Sequence, residues 1–184
     1  MTTTIVGRGP SLLSLTRDDF PLGPVITLNA AIVYVRGLGL EGPIFSMQKD
    51  GCIPHDHHGK PDVRPCGGCP TWPMVQPQQP ETVIVTSGES PYCLADYSPR
   101  IVVDVEQDFG LPWHTMSAPV AVRIAQSWGE TDLLMLGHDA YTRGNTERWE
   151  PGVGLVDDPH GGYYLAGKLA NEIAVDLGMS ITWR

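Results

Sequence analysis

Short apolar runs separated by turn residues organise this chain. Thr3 to Val6 is rich in β-branched residues and follows no helical period, which reads as a buried strand. Val25 to Leu28, Pro43 to Met47, Thr82 to Thr86 and Arg100 to Val105 repeat that pattern. Leu133 to Leu136 is wholly apolar, so the strand Asp132 to Leu136 is expected to be buried on both faces. Met179 to Trp183 reads as a closing strand. Two segments carry a helical period. Ser117 to Trp128 places Val120, Ala121 and Ile124 on one side, with Pro119 in the first turn where proline is tolerated. Tyr163 to Leu177 is the longer helix, stopped by Gly178. A shorter helix fits Ala30 to Leu38, ended by Gly37 and Gly39. Strands alternating with helices predict an α/β fold: a single Rossmann-like domain with a mostly parallel sheet and helices on both faces.

The chain has 184 residues, which suits one domain over 1–184. Gly and Pro cluster between residues 50 and 80 and between 137 and 162, marking two long irregular excursions. Gln48 to Pro80 has no usable periodicity and is read as an irregular Cys/His-rich insert. No apolar run is long enough to span a bilayer, so no membrane partner is expected. Met1-Thr2-Thr3-Thr4 has no basic n-region, and a cytoplasmic location is the expectation. The formal net charge of −9 argues against a broad electrostatic grip on nucleic acid.

In such sheets ligands bind beyond the carboxyl ends of the strands. The loops Gly7–Ser11, Asn29 and Gly137–Tyr141 should therefore converge. Ile5-Val6-Gly7-Arg8-Gly9-Pro10-Ser11-Leu12 reads as a strand entering a glycine turn. Glycines admit a phosphate close to the backbone, and Ser11 could cap the following short helix. No Gly-Lys-Ser/Thr follows, so this is not a P-loop. The third glycine of the dinucleotide fingerprint is also missing. A plain strand-to-helix connection would explain the turn equally well.

The turn G-R-G-P-S-L resembles the G-N-G-P-S-L motif of bacterial sialyltransferases of the Campylobacter type, and related DUF115 (MptE-like) proteins carry a similar turn. Leu28-Asn29 resembles their Cys-Asn. Thr115 to Tyr141 is similar to their T-S-G-x-Y-M…A-x-x-L-G-Y-K-x-I-Y-L-x-G-I-D-F-Y block. The resemblance covers about three quarters of the chain and excludes the insert. It implies a glycosyltransferase that transfers a sugar from a nucleotide-activated donor to an acceptor hydroxyl. Small size, an unusual insert and a single domain fit a phage or mobile-element enzyme acting on nucleic acid or a host glycan. The resemblance also implies site residues. Gly9, Pro10 and Ser11 would approach the donor nucleotide, Asn29 its phosphate or sugar, and Ser117 the nucleotide. Tyr141 would face the leaving phosphate, and His160 would be the general base. Arg8 replaces the family asparagine, which puts a CMP-sialic acid donor in doubt, and could bind phosphate bidentately. Ala118-Pro119 replaces a glycine and its neighbour.

Histidine can accept the acceptor proton near neutral pH. His138-Asp139, directly after a buried strand, is a second candidate pair; Asp139 could also simply bond the backbone of the next turn. Cys52, His55, His57, His58, Cys66 and Cys69 fall close together, and Cys66-Gly67-Gly68-Cys69 is a knuckle-type C-x₂-C. Structural zinc on Cys52, Cys66 and Cys69 with one of His55, His57 or His58, His57 being the expected fourth ligand, would order an insert that has few apolar residues. Two rival readings remain open. One is a pterin pyrophosphokinase-like enzyme using ATP and Mg²⁺, with Asp104, Asp139 or Asp157 near the phosphates. The other is a non-catalytic nucleotide- or nucleic-acid-interacting module. A homo-oligomer is compatible with each.

Overall fold

The structure, a computed structural model, describes residues 1–48, 81–86, 100–112, 114–157 and 161–184. Among these, β1 (Thr2–Val6), β2 (Val25–Leu28), β3 (Ile44–Gln48), β4 (Thr82–Val85), β5 (Arg100–Val102) and β6 (Asp132–Leu136) belong to one sheet. β7 (Glu147–Glu150) and β8 (Gly154–Asp157) form a separate antiparallel hairpin. β9 (Ser180–Trp183) completes the first sheet, whose order is β5-β4-β3-β2-β1-β6-β9. Every pairing in it is parallel. The chain walks outward from β1 to β5, then returns to lay β6 on the other side of β1. That reversal makes β1 the switch point of an α/β, Rossmann-like sheet.

Neighbouring residues of β1 point to opposite faces. Ile5 enters a core built by α3 (Ser117–Ser127) and α5 (Gly162–Asp176). Val6 enters a second core with Leu12 and with Ala31 and Val35 of α1 (Ala31–Val35). Both side chains are fully buried, which contributes roughly 1.5–3 kcal/mol each. Helices therefore cover both faces, as the apolar runs imply. α5 lies close against its neighbours because Ala166, Gly167, Ala170 and Ala174 are its buried positions.

Three elements differ from the sequence expectation. The strand expected over Arg100 to Val105 stops at Val102, because Asp104 caps α2 (Val105–Phe109) and accepts from the Glu106 and Gln107 amides. α4 (Asp139–Arg143) and the β7–β8 hairpin occupy part of the stretch read as irregular. The insert over 48–80, with Cys52, His57, Cys66 and Cys69, lies outside the described residues apart from Gln48. Among the described residues, no helix is long and apolar enough to cross a membrane.

Candidate functional site

The loop after β1 runs against the loop after β6. The Gly7 amide donates to the Leu136 carbonyl (2.8 Å) and the Gly9 amide to the Gly137 carbonyl (2.7 Å). A Cβ on Gly7 would stand 2.6 Å from the Gly137 oxygen, and one on Gly9 would stand 2.1 Å from Asp139 Oδ2. Contacts this short do not occur, so both positions need glycine. Gly137 has a φ of +69°, and a Cβ there would meet the Gly7 oxygen at 2.8 Å.

Asp139 is 2 % exposed and opens α4. Its Oδ2 accepts from the Ser11 amide (3.0 Å) and the Ser11 hydroxyl (2.6 Å). Arg143, one turn on, lies 3.3 Å from Oδ1. Ser11 is thus not a helix cap. Gly9 holds that position for the short 3₁₀ turn Pro10–Ser14, and Ser11 lies inside it. Apart from the Arg143 side chain, the Asp139 carboxylate takes its hydrogen bonds from the loop after β1 rather than from the backbone of the next turn. The amides of Gly7, Gly9 and Ser11 are therefore engaged by the protein itself, and the turn holds an internal carboxylate.

A cavity of about 190 Å³ opens at this junction. Gly7, Arg8 and Gly9 form one wall, and Asn29 closes the end of β2. Gly137, His138 and Asp139 line the side after β6. The loops after β1, β2 and β6 converge here, together with Ser117; Pro10 and Ser11 do not line the cavity. Asn29 has a φ of +50°, alone among the described non-glycine residues. Asparagine tolerates that conformation better than most side chains. The backbone around it is tied in place: its amide donates to Met47 O (2.9 Å), and buried Gln48 donates to its carbonyl (3.2 Å).

Two helices begin at the cavity. Met116, Ser117 and Ala118 of the α3 start line it, as do Tyr163 and Ala166 of the first turns of α5. Neither helix has a side-chain cap or an acidic residue in its first turn. A Cβ on Gly162 would lie 3.7 Å from the Met116 sulfur, so the two starts are adjacent. First-turn amides lack intrahelical partners, and with the aligned peptide dipoles they favour an anion there.

The hairpin supplies the remaining wall. The Trp149 amide donates to the Arg8 carbonyl (2.7 Å), docking β7 on the glycine turn. Glu150 Oε1 accepts from Arg8 Nη1 and from Arg148 Nε, both at 2.7 Å. Arg8 Nη2 donates to the Tyr163 hydroxyl (3.0 Å). The fork expected to grip a phosphate is thus held by a carboxylate and a phenol, and Arg148 joins it at the cavity. Nothing in the sequence reading singled out Arg148 or Glu150. Their signal was the turn Pro151-Gly152-Val153-Gly154 between two short extended segments.

His138 lines the cavity, but its Nε2 is buried and has no hydrogen-bond partner among the described residues. Desolvation lowers its pKa to about 4, opposed by the Ile5 backbone and the charge of Asp139. The imidazole is therefore neutral at pH 7, and its ring stands edge-on to Trp183. Tyr141 does not line the cavity. Its ring packs on Trp183 (centroids 4.5 Å apart) and Tyr164 (5.8 Å), and its Cβ would be 2.4 Å from a Cβ on Gly167. His160 lies outside the described residues.

Of the three carboxylates considered for Mg²⁺, Asp104 caps α2, Asp157 accepts from Thr146, and only Asp139 reaches the cavity. Searches of protein-family models, curated proteins and solved structures return no match for the chain.

Proposed function

We propose that the chain is a glycosyltransferase-like enzyme that binds a nucleotide-activated sugar in this cavity and transfers the sugar to an acceptor hydroxyl. The observation that carries the reading is the pair of adjacent, uncapped helix starts, α3 and α5, facing a cavity at the switch point of a parallel sheet. The donor phosphate sits at those helix starts rather than in the glycine turn. Asn29 and Ser117 flank the nucleotide, with Arg8 and Arg148 on the opposite wall. The acceptor oxygen attacks the anomeric carbon. The bond from that carbon to the phosphate oxygen breaks, and its electron pair stays on the phosphate. The acceptor proton passes to His160, the base that the resemblance implies. Tyr163, rather than Tyr141, is placed to donate to the leaving phosphate, since its hydroxyl is held by Arg8 at the cavity.

Incubation with a panel of nucleotide sugars tests the reading. Nucleotide release is expected with at least one donor and is abolished in His160→Ala, while binding is retained. Undiminished turnover in that variant removes His160 as base. Tight nucleotide binding without turnover favours the non-catalytic reading, and strictly ATP- and Mg²⁺-dependent product favours the pyrophosphokinase-like one. Native mass spectrometry reports, in one spectrum, bound nucleotide and the zinc expected on Cys52, His57, Cys66 and Cys69.

A further inference from the structure

A second cavity, also about 190 Å³, lies beside the first and shares Ala140 and Tyr163 with it. Its other walls come from Gly144, Asn145 and Thr146 after α4, and from Gly161 and Tyr164 at the start of α5. None of these residues carries a carboxylate, an ammonium or a guanidinium group. Tyr164 is 49 % exposed, so its ring offers a face to solvent. Asn145 accepts from the Glu147 amide through Oδ1, which directs its side-chain NH₂ elsewhere. Thr146 donates to Asp157 and keeps acceptor capacity on its hydroxyl. The Tyr163 hydroxyl accepts from Arg8 and retains its own proton to donate.

We infer that this second cavity is the acceptor subsite and takes a neutral sugar ring. The inference rests on the transferase reading. A sugar presents an apolar C–H face, which packs on an aromatic ring, and a rim of hydroxyls, which needs neutral donors and acceptors. The described lining residues supply both and carry no charge themselves, with Arg8 and Asp157 bonded to the Tyr163 and Thr146 hydroxyls. A carboxylated sugar would lose hydration here and find no cation among the described lining residues. The shared residues place the two ligands side by side, with Tyr163, the group proposed to assist the leaving phosphate, lining both cavities.

The test is saturation-transfer NMR on the intact protein with methyl β-galactoside, methyl α-glucoside and methyl β-glucuronide. Titrations with uridine diphosphate and cytidine monophosphate run in parallel. Transfer is expected to a neutral glycoside and is weaker for the glucuronide. Tyr164→Ala should weaken the neutral glycoside about ten-fold while nucleotide affinity stays within about two-fold. Tyr164→Leu keeps apolar bulk against Tyr141 and serves as the second variant if the alanine form unfolds. The subsite is overturned if no neutral glycoside binds, if the glucuronide binds more tightly, or if both variants bind as the wild type. Nucleotide binding without glycoside binding removes the subsite alone. Loss of both removes the proposed function with it.

Discussion

Gly9 sits at φ −62° and ψ 163°, a backbone conformation open to any residue. Alanine there carries no backbone strain, so any cost comes from space. Its Cβ would lie 2.1 Å from Asp139 Oδ2, 2.8 Å from the Asp139 amide nitrogen and 2.9 Å from the Asp139 Cβ. The substitution must push the loop after β6 away and break both Ser11–Asp139 hydrogen bonds. Bonds to a charged group contribute about 1.5–3 kcal/mol each. These two share one oxygen, so together they are worth about 3 kcal/mol rather than the sum. Replacing glycine restrains the unfolded chain and returns about 0.4–1 kcal/mol. The net loss for Gly9→Ala is then about 2–3 kcal/mol, a fall in Tm of roughly 4–12 °C for a domain of this size. Urea denaturation of Gly9→Ala, Asp139→Ala and the double variant measures it. Both single changes break the same latch, so the double variant should lose less than their sum, with a coupling of at least about 1 kcal/mol. Additive losses would refute the latch. A Gly9→Ala protein of native stability that no longer binds nucleotide would show that the glycine serves a phosphate after all.

Two further outcomes follow from the same geometry. The folded-state pKa of His138 lies near 4 against an ordinary 6.5, so between those values the unfolded chain binds a proton that the folded chain refuses. Stability is fully present above about pH 6.5 and declines as pH falls towards 4, by roughly 3 kcal/mol; urea midpoints of His138→Gln should lack that part of the decline, and an unchanged slope removes the assignment. At Asn29, alanine should be less stable than glycine by about 1 kcal/mol, because φ is +50°. Equal midpoints for both variants would show that the strain is absent.

The sheet was legible because its strands are apolar runs bounded by turn residues. Leu133 to Leu136 could hardly be anything but a doubly covered strand. The convergence of Gly7, Asn29 and Gly137 on one cavity was legible too, since it follows from a parallel sheet whose order reverses at β1. What the turn's glycines do was not. Glycine is needed wherever a backbone must come close to something, and the sequence does not say whether that is a phosphate or a second loop. Asp139 is distant from Ser11 along the chain, so the contact between them has no local signal. α2 was hidden for another reason: Val102-Val103-Asp104-Val105 has strand propensity, and only the cap formed by Asp104 turns it into a helix start. The hairpin was missed because Glu147 to Glu150 has no clean alternation, although it brings Glu147 and Arg148 to the cavity.

The place of β1 has a consequence for how the molecule comes together. Thr2 to Val6 pairs on one edge with β2 and on the other with β6, so that Thr2 sits beside Asp132. A chain emerging from the ribosome would leave one edge of this central strand open until β6 has been made. The early strands could gather on β2, but the glycine turn would lack its carbonyl partners and the Asp139 carboxylate. Such a partial sheet has neither the closed cavity nor the α5 start that faces it. The cavity should therefore form late, with the closing of a long-range contact of the kind that slows folding.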